Sequence, residues 1–389
     1  MKKSLLLLPG PVTVAQPVLE AMARPLINHR DAEFGELLDR VKSALAPVFG
    51  TQSDILVCGS SGTGGLEAAL VNCFSPGDVL LSCSVGAFGE RFASIARTYG
   101  CAVESLETAP GVALDPAVLA ACLDADGDRR ITGILLTHNE TSTGVQNDMR
   151  ALAPVVSRHG ALTLVDSISG LGASEFRMDD WGYDVVVSAS QKAFAAPPGI
   201  AMIAVGERAW KAMAAARIPR FYFDLGRARE SKRAGQTPWT PPISILCALD
   251  VALARYHAEG MTAVWERHER YARAVRAGLE ALGFTILSQP SAHSVTVVAA
   301  FPPEGVPAAS FLKHLRERYG VVLADGQGKL HGKIVRFGTM GDVREGDLLG
   351  AIGAVELALA DLEVAATPGA GTAAAIDRLS TARSFDYAR

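Results

Sequence analysis

The chain has 389 residues, a length that suggests about two domains, with 49% hydrophobic and 20% charged residues, as in ordinary globular proteins. A formal net charge of −4 leaves no basic footprint for nucleic acid, and no stretch reaches the ~20 apolar residues of a membrane span. The opening "MKKSLLLLPGPV" imitates a signal peptide, but its apolar run, Leu5 to Leu8, stops at Pro9, short of the ~7–15 residues required.

Cys58, Cys73, Cys83, Cys101, Cys122 and Cys247 form no CxxC pair and lack zinc-ligand spacing with histidine, so they read as small buried residues of a reducing compartment. The expectation is a cytoplasmic protein without a metal. From about 50 to 205, short apolar runs alternate with helical patterns: "DILVC", "VLLSC", "GILLT", "LTLVD", "DVVVS" and "IAMIAV" read as strands, "GLEAALVNCF" and "MRALAPVVSRHG" as helices. That alternation predicts an α/β fold with a mostly parallel central sheet covered on both faces.

After about 245 the pattern changes. A long helix over "MTAVWERHERYARAVRAGLEALG" is followed by the strands "FTIL", "SVTVVAA", "VVLAD" and "KIVRFG" and the helices "ASFLKHLRERYG" and "EGDLLGAIGAVELALADL". The division expected is a large domain over 1–245, a smaller C-terminal α+β domain over 246–364, and a flexible Ala/Gly/Thr-rich tail over 365–389.

In an open α/β sheet ligands bind beyond the carboxyl ends of the strands, so the residues standing there are the candidates. "GSSGTGGLEAAL" after the first strand opens a helix, and its amides and hydroxyls at Ser61, Gly62 and Thr63 suit an anion, or else form a tight turn. "HNETSTG" offers Asn139 and Thr141, as ligands or as turn residues. Asp166 closes "LTLVD" as a helix cap or as a counter-charge to a cationic ring nitrogen. Lys192 follows "DVVVSASQ" and either snorkels to water or, partly desolvated, does Schiff-base chemistry. Together, an anion cradle, a buried carboxylate and a strand-end lysine are what pyridoxal 5′-phosphate requires.

These motifs, with "LLPGPVTV" near the start and "VRFGTMG" near the end, resemble the class V, fold-type I pyridoxal-phosphate aminotransferases of the alanine–glyoxylate and serine–pyruvate group. The resemblance covers nearly all of the chain before the tail. It implies a large cofactor-binding transferase domain with a mostly parallel, mixed sheet. It also implies ping-pong transfer of an amino group from a small L-amino acid (alanine, serine or aspartate) to glyoxylate or pyruvate.

By the same resemblance Lys192 is the tethering lysine and proton carrier, and Asp166 pairs with the pyridinium nitrogen. Ser61, Gly62, Thr63 and Gln191 border the phosphate, Thr141 the 3-oxygen of the ring. Thr240 reaches the phosphate of a neighbouring subunit, implying a homodimer with shared sites. Arg336 clamps the substrate carboxylate, with Gly10 beside it.

Phe88 stands where the alanine–glyoxylate enzymes carry a ring-stacking tryptophan and lacks the indole N–H. His29 and Arg30 either line the site or cap the following helix. The alternatives are a class V transaminase for another amine, of aminophosphonate or ureidoglycine type, a cysteine desulfurase, and a nucleotide-binding protein using the glycine-rich turn. A desulfurase needs a mobile thiol late in the chain, and no cysteine follows Cys247. A nucleotide-binding protein would leave Asp166 and Lys192 without a task.

Overall fold

In the computed structural model, which describes residues 4–365 and 367–380, seven strands form the central sheet. Their order is Asp54–Gly59, Ile200–Val205, Val185–Ala189, Leu162–Asp166, Ile131–Thr137, Val79–Ser84 and Ala102–Glu107. Only Ile200–Val205 runs antiparallel to its neighbours. Successive strand side chains point to opposite faces, and here both faces are buried. Leu136, Val165, Val186 and Met202 pack into one core with Phe34, Leu38 and Val41 of helix Ala32–Phe49. Leu135, Leu164, Val187 and Ile203 pack into another with Leu66 and Leu70 of helix Gly62–Cys73.

The six strands read from the sequence over 54–205 form within two residues of their expected ends, whereas "VVLAD" splits into Val321–Val322 and Ala324–Asp325, which join different sheets. The edge strand Ala102–Glu107 was not anticipated, because only its neighbour on one side covers it and its residues are partly or fully exposed. "THNETSTGV" holds a further surprise, a short hairpin pairing Asn139–Glu140 with Val145–Gln146.

A second sheet, ordered Thr285–Ile286, Val297–Phe301, Val335–Gly338 and Ala324–Asp325, is antiparallel throughout. Its core combines Val298, Val335 and Phe337 with Val275, Phe311 and Ile352 of three helices. The packing departs from the expected division at 245/246 in two places. Helix Ile243–Glu259 buries Leu246, Leu249 and Leu253 in the core of the large sheet. At the other end of the chain, Leu5–Leu6 pairs in parallel with Val321–Val322, and Leu7 enters the second core.

The flexible tail expected over 365–389 is corrected in its described part. Ala370–Ser380 is a helix lying against Met261–Ala281, with Ala375 and Leu379 buried. Its close approach depends on Gly371, where a Cβ would stand 2.7 Å from Leu282 Cγ and 2.9 Å from Gly278 O. Small residues there allow docking, which an Ala- and Gly-rich composition hides. Residues 381–389 lie outside the described residues. Leu379→Ala should therefore cost ~2 kcal/mol, the low end for a buried leucine near a chain end. Thermal unfolding should show a lowered midpoint; an unchanged midpoint would mean that this helix is undocked in solution.

Candidate active site

The antiparallel strand Ile200–Val205 leaves the strands on either side of it parallel to each other. The carboxyl ends of the other six strands therefore share one rim, and most of the expected residues stand there. Lys192, three residues past Val185–Ala189, is buried, and its Nζ donates a 2.7 Å hydrogen bond to Pro9 O. The next residue, Gly10, has φ +119°, and a Cβ on it would lie 2.4 Å from Lys192 Nζ. The N-terminal segment thus passes over the lysine through a gap that only glycine leaves open. Burial lowers the Lys192 pKa to about 8, with Arg336 and Arg91 adding to the effect and Asp166 opposing it. The ammonium is thereby brought closer to releasing its proton near neutral pH.

Asp166 ends the adjacent strand and is also buried. Its Oδ1 accepts the Ile168 N–H at 3.0 Å, and among the described residues no other hydrogen bond reaches this carboxylate. Burial pushes its pKa up to about 7, against the pull of the Ile168 N–H and of Lys192. Such a carboxylate fits a ligand that brings a protonated ring nitrogen.

Ser61 caps helix Gly62–Cys73, its hydroxyl accepting from Gly64 N at 3.5 Å. Gly62 is pressed against Ile168, whose Cδ1 would lie 2.5 Å from an added Cβ, so the turn and the Asp166 loop are in direct contact. Thr63 Oγ1 lies 3.5 Å from Arg91 Nη1. Gln191 Oε1 is buried and among the described residues has no hydrogen-bond partner. The buried Lys192 amine, the under-partnered Asp166 and the glycine turn at a helix N-terminus together fit pyridoxal phosphate.

Phe88 lies in the first turn of helix Ala87–Thr98 with the Arg91 guanidinium 4.8 Å from its ring centroid. What holds it was not foreseen from the sequence. The Phe88 and Gly89 N–H groups both donate to Glu140 Oε2 at 3.1 Å, while Ser142 N and Oγ donate to Oε1 at 3.0 and 2.6 Å. Glu140 is fully buried, and Gly86 leaves room for it: a Cβ there would be 2.7 Å from Glu140 Cδ. The signal was present in "HNETSTG", an acid flanked by turn residues, but its use emerges only when the hairpin meets the helix.

Thr141 Oγ1 donates to Ser169 Oγ at 2.8 Å. Its carbonyl accepts from Arg336 Nη1 at 3.1 Å, and Asp325 O accepts from Arg336 Nε at 2.7 Å. Arg336 is thus buried on Val335–Gly338 rather than solvated on an edge, with some N–H donors still uncommitted. Thr240 stands apart from this group, exposed on the 237–241 segment beside Gly59. Arg30 ties that segment down, donating to Gln236 Oε1 at 2.9 Å and Thr237 O at 2.7 Å. His29 packs edge-on to Phe34.

Asp166, with its pKa raised on folding, contributes stability that is complete below its unfolded value near 3.9 and is lost as pH rises through about 7. Asp166→Asn in the ligand-free protein should therefore gain stability over the parent at pH 8, and this advantage should shrink toward pH 5. Parallel denaturant titrations measure it, and a pH-independent difference would contradict the burial argument.

The class-V aminotransferase family model matches residues 18–344. A protein from Synechococcus sp. named soluble hydrogenase, small subunit, is 39% identical, over 98% of this chain and 99% of its own. The L-aspartate–glyoxylate aminotransferase of Paracoccus denitrificans is 35% identical, over 95% of this chain and 94% of its own. The crystal structure of pyridoxamine–pyruvate aminotransferase from Mesorhizobium loti superposes with a TM-score of 0.91 at 31% identity, covering 97% of each chain. Built around Lys192 and Asp166 and matched along nearly its full length, this chain belongs to the class-V aminotransferases.

Proposed function

We propose that the protein moves an amino group from a small L-amino acid to a 2-oxo acid such as glyoxylate or pyruvate, using pyridoxal 5′-phosphate. The observation that carries this reading is the buried Lys192 amine, with a pKa of about 8, beside the under-partnered Asp166. Relatives and structural neighbours named for glyoxylate and pyruvate supply the acceptor class. The name of the Synechococcus protein corresponds to nothing built around Lys192, and the reading follows the site.

Pyridoxal phosphate, when bound, supplies an aldehyde for the amine and a ring that withdraws electrons from the substrate Cα. The chain supplies the rest. Lys192 Nζ would tether the cofactor and hold the proton taken from the substrate Cα, with Pro9 O fixing where the amine rests. Asp166 stabilises a positive ring nitrogen. Ser61, Gly62, Thr63 and Gln191 would receive the phosphate, and Thr141 would face the ring oxygen. Phe88, seated by Glu140, would stack on the ring. Arg336, oriented by the Thr141 and Asp325 carbonyls, binds the substrate carboxylate with its remaining donors.

Thr240 has its task across a twofold axis, at the phosphate of a second copy. Beside it Phe221 and Tyr222 are 65% and 50% exposed, with the rings of Phe221 and Trp239 stacked at 4.8 Å. An exposed aromatic cluster of this kind supports a homodimer. The free cysteines accord with a cytoplasmic setting.

The holoenzyme should absorb visible light, and borohydride should bleach it and leave a pyridoxyl adduct on Lys192. Lys192→Ala should retain cofactor but lose transamination by orders of magnitude; near-normal turnover in that variant would refute the assignment. The seating of Phe88 is tested by a double-mutant cycle. Glu140→Gln should weaken cofactor affinity about tenfold, and the loss should largely vanish in a Phe88→Ala background. Additive losses by equilibrium dialysis would show that Glu140 acts elsewhere.

A further inference from the structure

Asn139 stands in the sequence as a ligand or a turn residue, and the site built above makes no use of it. Its side chain is buried, at 3% exposure, and its amide is consumed inside the protein. Nδ2 donates to Ser169 Oγ at 2.8 Å and to Thr296 Oγ1 at 3.0 Å, while Oδ1 accepts from Ser294 Oγ at 2.6 Å. Both amide hydrogens are therefore committed, and neither is left for a substrate or cofactor.

The partners come from different parts of the fold. Ser169 follows Asp166 in the loop that leaves the large sheet, whereas Ser294 and Thr296 lead into Val297–Phe301 of the small sheet. All three hydroxyl residues are buried, and the backbone extends the contact, with Ser294 N donating to Gly144 O at 2.9 Å. Ser169 carries the chain of bonds further. Its Oγ donates to Asn139 O at 2.9 Å and accepts from Thr141 Oγ1 at 2.8 Å. Thr141 O is in turn the carbonyl that receives Arg336 Nη1. One polar chain thus runs from the small sheet, through Asn139, to the loop after Asp166 and back to the guanidinium. Hydroxyls buried this deeply cost free energy unless paired, and a satisfied network of directional bonds is rigid. It fixes a spacing, here the one between Asp166 and Lys192 on the large sheet and Arg336 on the small one.

We propose that Asn139 is a positioning residue that holds Arg336 at its distance from Asp166 and Lys192, and so sets how firmly the substrate carboxylate is bound. The inference rests on the transaminase reading of the Lys192 site and adds a residue that touches neither substrate nor cofactor. Without the amide, Ser169 and Thr141 lose their anchor, the Thr141 carbonyl shifts, and Arg336 leaves its register with the amine. The Ile168 N–H that holds Asp166 and the Pro9 carbonyl that holds Lys192 lie outside this network.

The test is the half-reaction of the holoenzyme with alanine, serine and aspartate, followed by the visible spectrum over a range of donor concentrations. This separates the apparent dissociation constant of the donor from the limiting rate. For the donor that the parent uses fastest, Asn139→Ala should raise the dissociation constant on the order of tenfold, the worth of about one hydrogen bond. The limiting rate, and the cofactor affinity by equilibrium dialysis, should stay within about twofold, which a general loss of structure would not allow. Thr296→Val, which keeps the shape and removes one acceptor, should shift the donor constant the same way by less; it carries the test if the alanine variant fails to fold. In an Arg336→Lys background Asn139→Ala should add little, because both act on one clamp. An unchanged donor constant in the folded variants, a loss confined to the limiting rate, a matching loss of cofactor affinity or additive losses with Arg336→Lys overturns the inference alone. A cofactor-loaded parent that reacts with none of the three donors overturns the transaminase reading, and this inference with it.

Discussion

The hydrogen bond from Lys192 Nζ to Pro9 O is the constraint on which the rest of the site depends. An ammonium at a buried strand end would otherwise lose its hydration without recompense. The carbonyl that receives it comes from the opposite end of the sequence. Leu5–Leu6 pairs with Val321–Val322, Gly338 N donates to Leu7 O at 2.8 Å, and a Cβ on Gly338 would lie 2.2 Å from Leu8 O. The small sheet thus holds the N-terminal segment and presents Pro9 to a lysine of the large sheet. Arg336 lies on that same Val335–Gly338 strand. The amine and the arginine are registered against each other through one short piece of chain.

This arrangement explains two glycines at once. Gly10 and Gly338 stand on either side of the Leu8–Pro9 peptide and remove the side chains that would push it off the lysine or off the strand. A larger residue at Gly10 would collide with Nζ itself, so its link to the substrate site is indirect, through the lysine it lets in.

Much of this was legible in the sequence, because buried parallel strands announce themselves as apolar runs and the residues after them fall on one rim by topology. Asp166, Lys192 and the Ser61–Thr63 turn were found that way. Arg336 was not: on composition alone an arginine in "KIVRFG" reads as solvated, and only the family resemblance placed it. Glu140 and Arg91 escaped for a different reason. Each gains its meaning from a contact between segments separate in sequence, hairpin to helix or helix to turn, and no periodicity encodes such contacts. The helix over 370–380 escaped because its docking rests on small residues, which read as disorder when counted rather than packed.

Two buried carboxylates near the rim show how one environment supports two tasks. Glu140 and Asp166 are both removed from water, and burial raises the pKa of each. Glu140 is answered by four protein donors that hold its charge in place and, with it, the turn carrying Phe88. Asp166 is answered by one. The difference in hydrogen bonding, not in burial, separates a carboxylate that completes the fold from one whose partner has to arrive from outside. The Lys192 amine a short distance away is the complement of that unfinished carboxylate: it too is desolvated, held by a single carbonyl, and free to exchange its proton for a bond.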